Sequence, residues 1–189
     1  EKFHKILEVL LAYGNYMNSG RRGGVYGFKL SSLDTLSGMK SCVERSLSLL
    51  HVFCDSISQS FPELLDFGDQ FRFVDKASTV MWDAVMADMK EVELNFALAK
   101  KERELKGSDC PPTLVAFLEK CGKRTESLKA QCKTATEAFS SCVEFYGESA
   151  RNQQPHLFFS RLIEFRKKFE QAVHDNIERH AAERRAQER

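Results

Sequence analysis

Proline is scarce in this 189-residue chain, with only Pro62, Pro111, Pro112 and Pro155, all at apparent element boundaries. Few β-branched alternations occur, which argues against strands and leaves long stretches free to be helical. No long uninterrupted apolar run exists, so no transmembrane helix is expected. An excess of one charge is also lacking, since 28 basic residues meet 27 acidic ones for a net charge of +1. That balance argues against whole-surface attraction to nucleic acid or anionic lipid and leaves electrostatic binding to local patches. Catalytic signatures are missing. There is no Gly-x-Ser-x-Gly, no Walker loop and no His-Glu-x-x-His, and none of the five histidines sits in a nucleophile motif. Gly20, Gly23, Gly24 and Gly27 match neither phosphate-binding fingerprint, and no strand precedes them. The expectation is no enzymatic activity and no cofactor.

The six cysteines include no Cys-x-x-Cys pair. Cys121, Cys132 and Cys142 fall in one expected helix, where a rise of about 1.5 Å per residue holds neighbours roughly 15 Å or more apart. That separation forbids a disulfide and a shared metal ion. Free, mostly buried thiols in a reducing, cytoplasmic setting are expected, with no metal site. The chain begins in mid-helix with Glu1-Lys2-Phe3, without a signal-peptide pattern, as an excised piece of a longer protein would.

What is present is an ordered composition, 42% hydrophobic and 29% charged. The length suits one sizeable core or one elongated helical unit. A first helix sets Phe3, Ile6, Leu7, Leu10 and Met17 near one face. A short helix is expected over 31–39 with Leu33 and Leu36 inward. A third covers 43–61, with Leu47, Leu50, Phe53, Cys54 and Ile57, and His51 on its apolar face as a semi-buried, hydrogen-bonded residue. From Val74 the spacing becomes heptad-like: Trp82, Val85, Met89, Val92, Phe96, Ala99. Gly107 to Pro112 breaks it. A second seam then runs Leu114, Leu118, Cys121, Thr125, Leu128, Cys132, Ala135, Phe139, Cys142, Tyr146. Two such helices joined by a short turn predict a long antiparallel coiled-coil hairpin projecting as an arm. A last helix carries Phe158, Leu162, Phe165, Phe169 and Ala172, and Glu178 to Arg189 extends it as a solvated, fraying end. The expected class is an all-α, elongated helical unit: a helical base at 1–73, the hairpin at 74–147 and the C-terminal helix at 155–189.

The segment Gly14-Asn15-Tyr16-Met17-Asn18-Ser19-Gly20 and the word Gly27-Phe28-Lys29-Leu30 stand out. No acidic side chain occurs from residue 9 to residue 33, while Arg21, Arg22 and Lys29 do. A cationic, glycine-shaped loop between buried helices suits docking better than catalysis. Plain helix termination explains part of it: Asn18 and Gly20 cap, and Tyr16 and Met17 pack inward. Gly14 asks for more. Within a helix it costs about 1 kcal/mol relative to alanine, which close approach of another group would justify. Lys29, taken alone, is a snorkelling surface lysine. The missing acids and the apolar neighbours Phe28 and Leu30 instead hold its ammonium at a fixed place.

These words, with Leu49-Leu50-His51, Tyr146-Gly147-Glu148 and Phe158-Phe159, resemble the formin homology 2 domain, the actin-assembling module of formins. Gly24-Val25-Tyr26-Gly27-Phe28-Lys29-Leu30 with Leu33-Asp34 is most similar to the formin-like subgroup. The resemblance covers nearly the whole chain. It implies a post region in which Gly14, Asn15, Tyr16, Met17 and Asn18 receive the aromatic lasso of a second formin chain, with the asparagines bonding the incoming backbone. It implies actin contacts at Lys29, with Lys40, Arg21 and Arg22 as weaker additions. It implies a dimeric ring at the filament barbed end, acting by binding and positioning, with lasso, linker and knob preceding Glu1. The rival expectation is a structural helical scaffold that binds a partner through its coiled coil.

Overall fold

The computed structural model describes residues 1–19, 23–42 and 44–188. Seven α-helices follow in order among these residues: α1 Lys2–Asn18, α2 Leu33–Leu36, α3 Leu49–Ser60, α4 Val74–Ser78, α5 Trp82–Lys106, α6 Pro112–Phe145 and α7 Pro155–Gln187. No strand occurs among the described residues beyond one isolated antiparallel bridge, Lys40 with Ser48. The all-α expectation holds. The chain divides into two compact units, Glu1–Thr79 with Leu157–Arg189, and Val80–His156.

The first unit, the base, is built on phenylalanine. Phe3 on α1 stacks on Phe67 at 5.8 Å and meets Phe71 edge-on at 5.1 Å. Phe67 also meets Phe169 of α7 edge-on at 5.1 Å, and Phe169 reaches Phe53 of α3 at 6.4 Å. Edge-to-face rings at such distances add attraction beyond the area they bury. Ile6, Leu10, Leu50, Ile57, Phe158, Leu162, Phe165 and Ala172 join this core, at the positions their three-and-four spacing placed inward. Phe67 and Phe71 come from a 3₁₀ turn, Phe67–Phe71.

Helix α3 is shorter than the expected 43–61. The chain turns back between Lys40 and Ser48, with Ser41 N–H donating to the Leu47 carbonyl at 2.9 Å and Leu49 N–H to the Met39 carbonyl at 2.8 Å. Ser48 then starts the helix through a capping box with His51. Leu47 therefore precedes the helix and is half-buried. At the end of α1, Tyr16 is 81% and Met17 47% exposed, so neither packs inward as expected. Asn18 does cap, donating from Nδ2 to the Gly14 carbonyl at 2.8 Å. Gly20 lies outside the described residues.

The second unit is the hairpin of α5 and α6. Gly107, at φ +52°, ends α5 in a conformation that favours glycine, and Pro112 opens α6. Lys129 pairs with Glu93 at 3.0 Å, and Phe96 packs where a Cβ on Gly122 would stand 3.4 Å from its ring. The contact advances along α5 as it retreats along α6, so the two helices run antiparallel. Burial is thinner than the seams suggested. Met89, Leu118, Thr125 and Val143 are buried, while Val92 and Leu128 are 42% and 40% exposed. Val143 is fully buried, whereas its neighbour Cys142, the expected seam position, is half-buried. The cysteines follow suit. All six are free, but only Cys54 is buried, Cys42 is exposed and the other four are half-buried, contrary to the mostly buried set expected.

Helix α7 also departs from expectation beyond Ile177. It is helical through Gln187, yet this end is not merely solvated. Arg179 Nη2 donates to Asp55 Oδ2 at 2.6 Å, and His180 Nε2 lies 3.1 Å from Asp55 Oδ1.

Candidate functional site

The last turns of α1 form one side of a groove of about 500 Å³. That size falls among the concave sites that take small ligands or large side chains. Leu10, Leu11, Tyr13, Gly14, Asn15, Met17 and Asn18 supply the α1 side; Gly23, Val25 and Phe28 form a facing wall; Ser32, Thr35, Leu36, Met39 and Leu49 close the remainder. The lining is mainly apolar.

Of the five residues expected to dock a partner, Gly14, Asn15, Met17 and Asn18 line this groove, and Tyr16 does not. A Cβ on Gly14 would meet nothing within 4 Å, so the missing side chain leaves open groove rather than relieving an internal contact. Asn15 is engaged on both sides of its carboxamide. Nδ2 donates to the Val25 carbonyl and Oδ1 accepts from Val25 N–H, both at 2.9 Å.

Lys29 is exposed and has extended backbone, φ −76° and ψ 143°, at the start of the 3₁₀ turn Leu30–Ser32. Its carbonyl accepts from Ser32 N–H at 2.9 Å. Phe28 lines the groove on one side of it, and Leu30 is 3% exposed in the core on the other. The backbone is thus pinned while the ammonium faces solvent. Lys40 is exposed on the Lys40–Ser48 bridge. Arg21 and Arg22 lie outside the described residues. Asp34, the first acid after the cationic stretch, is drawn to Arg161 of α7 at 3.3 Å.

A second polar constellation centres on His51, which is half-buried and hydrogen-bonded as expected, with partners the sequence did not name. Ser48 N–H donates to His51 Nδ1 at 3.1 Å, and His51 Nε2 lies 3.3 Å from Asp175 Oδ2. A ring nitrogen that accepts from an amide carries no proton, so Nε2–H points at the carboxylate. Asp175 is held below the ordinary carboxylate range, chiefly by the hydrogen bond from Gln171; burial opposes this, and His51 adds a smaller lowering. Ser, His and Asp in a row invite comparison with a hydrolase triad. Ser48, however, is 2% exposed and serves as the α3 cap, so no substrate reaches its hydroxyl. Asn176 Nδ2 donates to the His51 carbonyl at 2.7 Å and completes a clasp between α3 and α7. Only Ser48-x-x-His51 was available as a local signal, and a capping box usually carries Glu or Gln at that place.

The chain matches known proteins over most of its length. The family model described as Formin Homology 2 Domain matches residues 1–170. The chain is 40% identical over 186 residues to a Formin-like protein of Drosophila melanogaster, covering 98% of this chain and 16% of that one. It is 40% identical over 188 residues to Formin-like protein 1 of Homo sapiens, covering 100% of this chain and 17% of that one. Disheveled-associated activator of morphogenesis 2 of Gallus gallus is 28% identical over 182 residues, covering 93% of this chain and 17% of that one. The chain therefore spans less than a fifth of the length of these relatives.

Proposed function

The chain belongs to the Formin Homology 2 Domain family, and on that premise we propose that it is an actin-binding module of a formin. It contributes to filament nucleation and processive barbed-end elongation as part of a dimeric ring, in the cytoplasmic actin cytoskeleton. The action is binding and positioning, with no covalent chemistry and no cofactor. The observation that carries this reading is the groove with an open Gly14 beside a backbone-pinned Lys29. The groove, with Gly14, Met17 and Asn18 in its lining and Tyr16 exposed nearby, takes an apolar, aromatic-bearing segment of a second formin chain. Lys29 presents a fixed cation to an acidic patch of actin, and Lys40, Arg21 and Arg22 add to the positive surface.

Two substitutions in the complete parent chain test the two halves. Lys29→Asp sets a like charge against the actin surface. A reversed charge at a partly desolvated contact changes binding by roughly a few kcal/mol. Pyrene-actin nucleation should fall sharply while the helical signal and melting temperature stay near wild type, because surface substitutions usually cost within about 0.5 kcal/mol. Gly14→Leu fills the groove and should weaken the dimer in sedimentation-velocity runs. Wild-type nucleation by Lys29→Asp would remove the actin role from this lysine.

A second reading, a scaffold that binds a partner helix through the hairpin, has one observation in its favour. Leu94, Leu98 and Leu105 of α5 are 62%, 54% and 83% exposed. At about 100° per residue they share a stripe opposite the seam. Co-sedimentation of the complete parent with filamentous actin separates the readings, since a scaffold of this kind leaves actin in the supernatant-to-pellet ratio it has alone.

A further inference from the structure

The groove wall formed by residues 23–28 contains no helix or strand, yet Val25 and Phe28 within it line the cavity. Such a wall needs fastening, and the Asn15 side chain supplies it. Its carboxamide pairs with both the N–H and the carbonyl of Val25 at 2.9 Å. Geometrically this is one rung of an antiparallel ladder in which a side-chain amide replaces one strand. The Val25 side chain remains 55% exposed at the groove. Asn15 thereby turns one Nδ2 hydrogen and one acceptor position of Oδ1 onto the wall, and its side chain is oriented by that pairing. Asn18 turns its Nδ2 back onto its own helix, to the Gly14 carbonyl at 2.8 Å.

We propose that Asn15 is a positioning residue: it holds the 23–28 wall against α1 and so sets the width of the groove for the apolar segment of a second copy. The proposal rests on the docking function given above and changes the role of Asn15 within it, from touching the partner to shaping the place where the partner sits. Asn15→Ala removes both bonds. Asn15→Asp keeps the acceptor for Val25 N–H and sets a carboxylate oxygen against the Val25 carbonyl, so the wall is held from one side only.

The experiment uses the complete parent chain and three variants, Asn15→Ala, Asn15→Asp and Gly14→Leu. Dimer dissociation is followed by sedimentation velocity and the Val25 amide by hydrogen exchange. Asn15→Ala should speed exchange at Val25 and weaken the dimer, each by about tenfold, the scale of losing one or two neutral hydrogen bonds. Asn15→Asp should retain more protection at Val25 while still weakening the dimer, and it carries the test if the alanine variant loses helix content. Unchanged Val25 exchange in Asn15→Ala overturns the proposal. So does faster exchange with an unchanged dimer when Gly14→Leu breaks that dimer, because the wall then has no bearing on docking. If Gly14→Leu also leaves the dimer intact, the docking function itself fails and takes this proposal with it.

Discussion

Phe67 and Met89 show how differently the two units are held together. Phe67 is fully buried and meets the rings of Phe3, Phe71, Phe165 and Phe169 within 6.1 Å. Met89 is the buried apolar residue of α5, and the seam positions around it, Val85 and Val92, are 36% and 42% exposed. The base closes around a centre to which α1, α3, α7 and a 3₁₀ turn all contribute. The hairpin has two helices and one narrow line of contact, supported at its flank by Lys129 and Glu93. A core residue touches several elements and its loss is felt by all; a seam residue touches one neighbour, and its loss stays local. The base is thus suited to hold a groove of fixed shape, and the hairpin tolerates wear along its length.

The largest expected effect tests this directly. Phe67→Ala should destabilise the base by about 3–5 kcal/mol, the range for deleting a buried aromatic ring. Leu118→Ala removes the corresponding anchor of the hairpin, 6% exposed. It should cost about 2 kcal/mol, the lower end for such truncations, because a half-open seam collapses or admits water more readily than a closed core. Urea unfolding reports both. Trp82, the single tryptophan, reports the hairpin by fluorescence, and hydrogen exchange in α1 and α7 reports the base. Equal costs for the two substitutions would erase the distinction.

How much of this was legible in the sequence differs between the same two regions. In α1 and α7 the inward residues repeat every three or four positions over many turns, and Phe3, Ile6, Leu10, Phe158, Leu162, Phe165, Phe169 and Ala172 were all placed correctly. Phe67 and Phe71 were not, since a 3₁₀ turn of five residues has no period long enough to recognise. In the hairpin the turn at Gly107 to Pro112 was plain, but depth of burial was not. Heptad spacing tells which face meets a partner, not how completely one partner covers it. The groove was half visible. Gly14 to Asn18 announced themselves, with Gly14 inside a helix as the physical oddity. Val25 and Phe28 belong to one segment and Met39 to another, and only tertiary pairing, through Asn15 and through the Leu49 N–H bond to Met39, brings them to the same space as α1.

A smaller effect sharpens the picture of the base. Asn176 is 3% exposed and stitches α7 to the His51 carbonyl at 2.7 Å. Its Oδ1 has no hydrogen-bond partner among the described residues, which offsets part of the benefit of that bond. Asn176→Ala should therefore cost only about 1 kcal/mol. The loss should appear as faster exchange at the start of α3 and around Asn176 in α7, with the hairpin unmoved. A loss of several kcal/mol, or exchange that rises equally in α5 and α6, would mean that the clasp supports more than the base.

The smallest effect concerns acid. Glu8, Asp66, Asp175 and Glu183, all in the base, have carboxyl groups held below their ordinary range. The chief causes are bonds from Lys5, Lys2, Gln171 and Arg179 respectively. A carboxyl lowered in the folded state binds its proton more weakly there than in the unfolded chain. Its contribution is complete above the unfolded value, about 4, and disappears as pH falls through the lower folded one. In the hairpin the linkage runs the other way. Glu93 raises the Lys129 ammonium by hydrogen bond and charge, and burial raises the Cys142 thiol and the Tyr146 phenol. Each of these contributes fully below its unfolded value and is lost as pH rises through the folded one. Acidification from about pH 5 to pH 3 should therefore loosen the base through these four groups, weakly, because all four are largely exposed and screened by salt. Asp175→Asn removes one titration from that set and leaves a neutral partner for His51. Exchange at the α3–α7 clasp should then depend less steeply on pH than in wild type, with α5 and α6 unchanged between the two proteins. Identical acid slopes at the clasp would show that the His51–Asp175 contact adds nothing to the base beyond what packing already supplies.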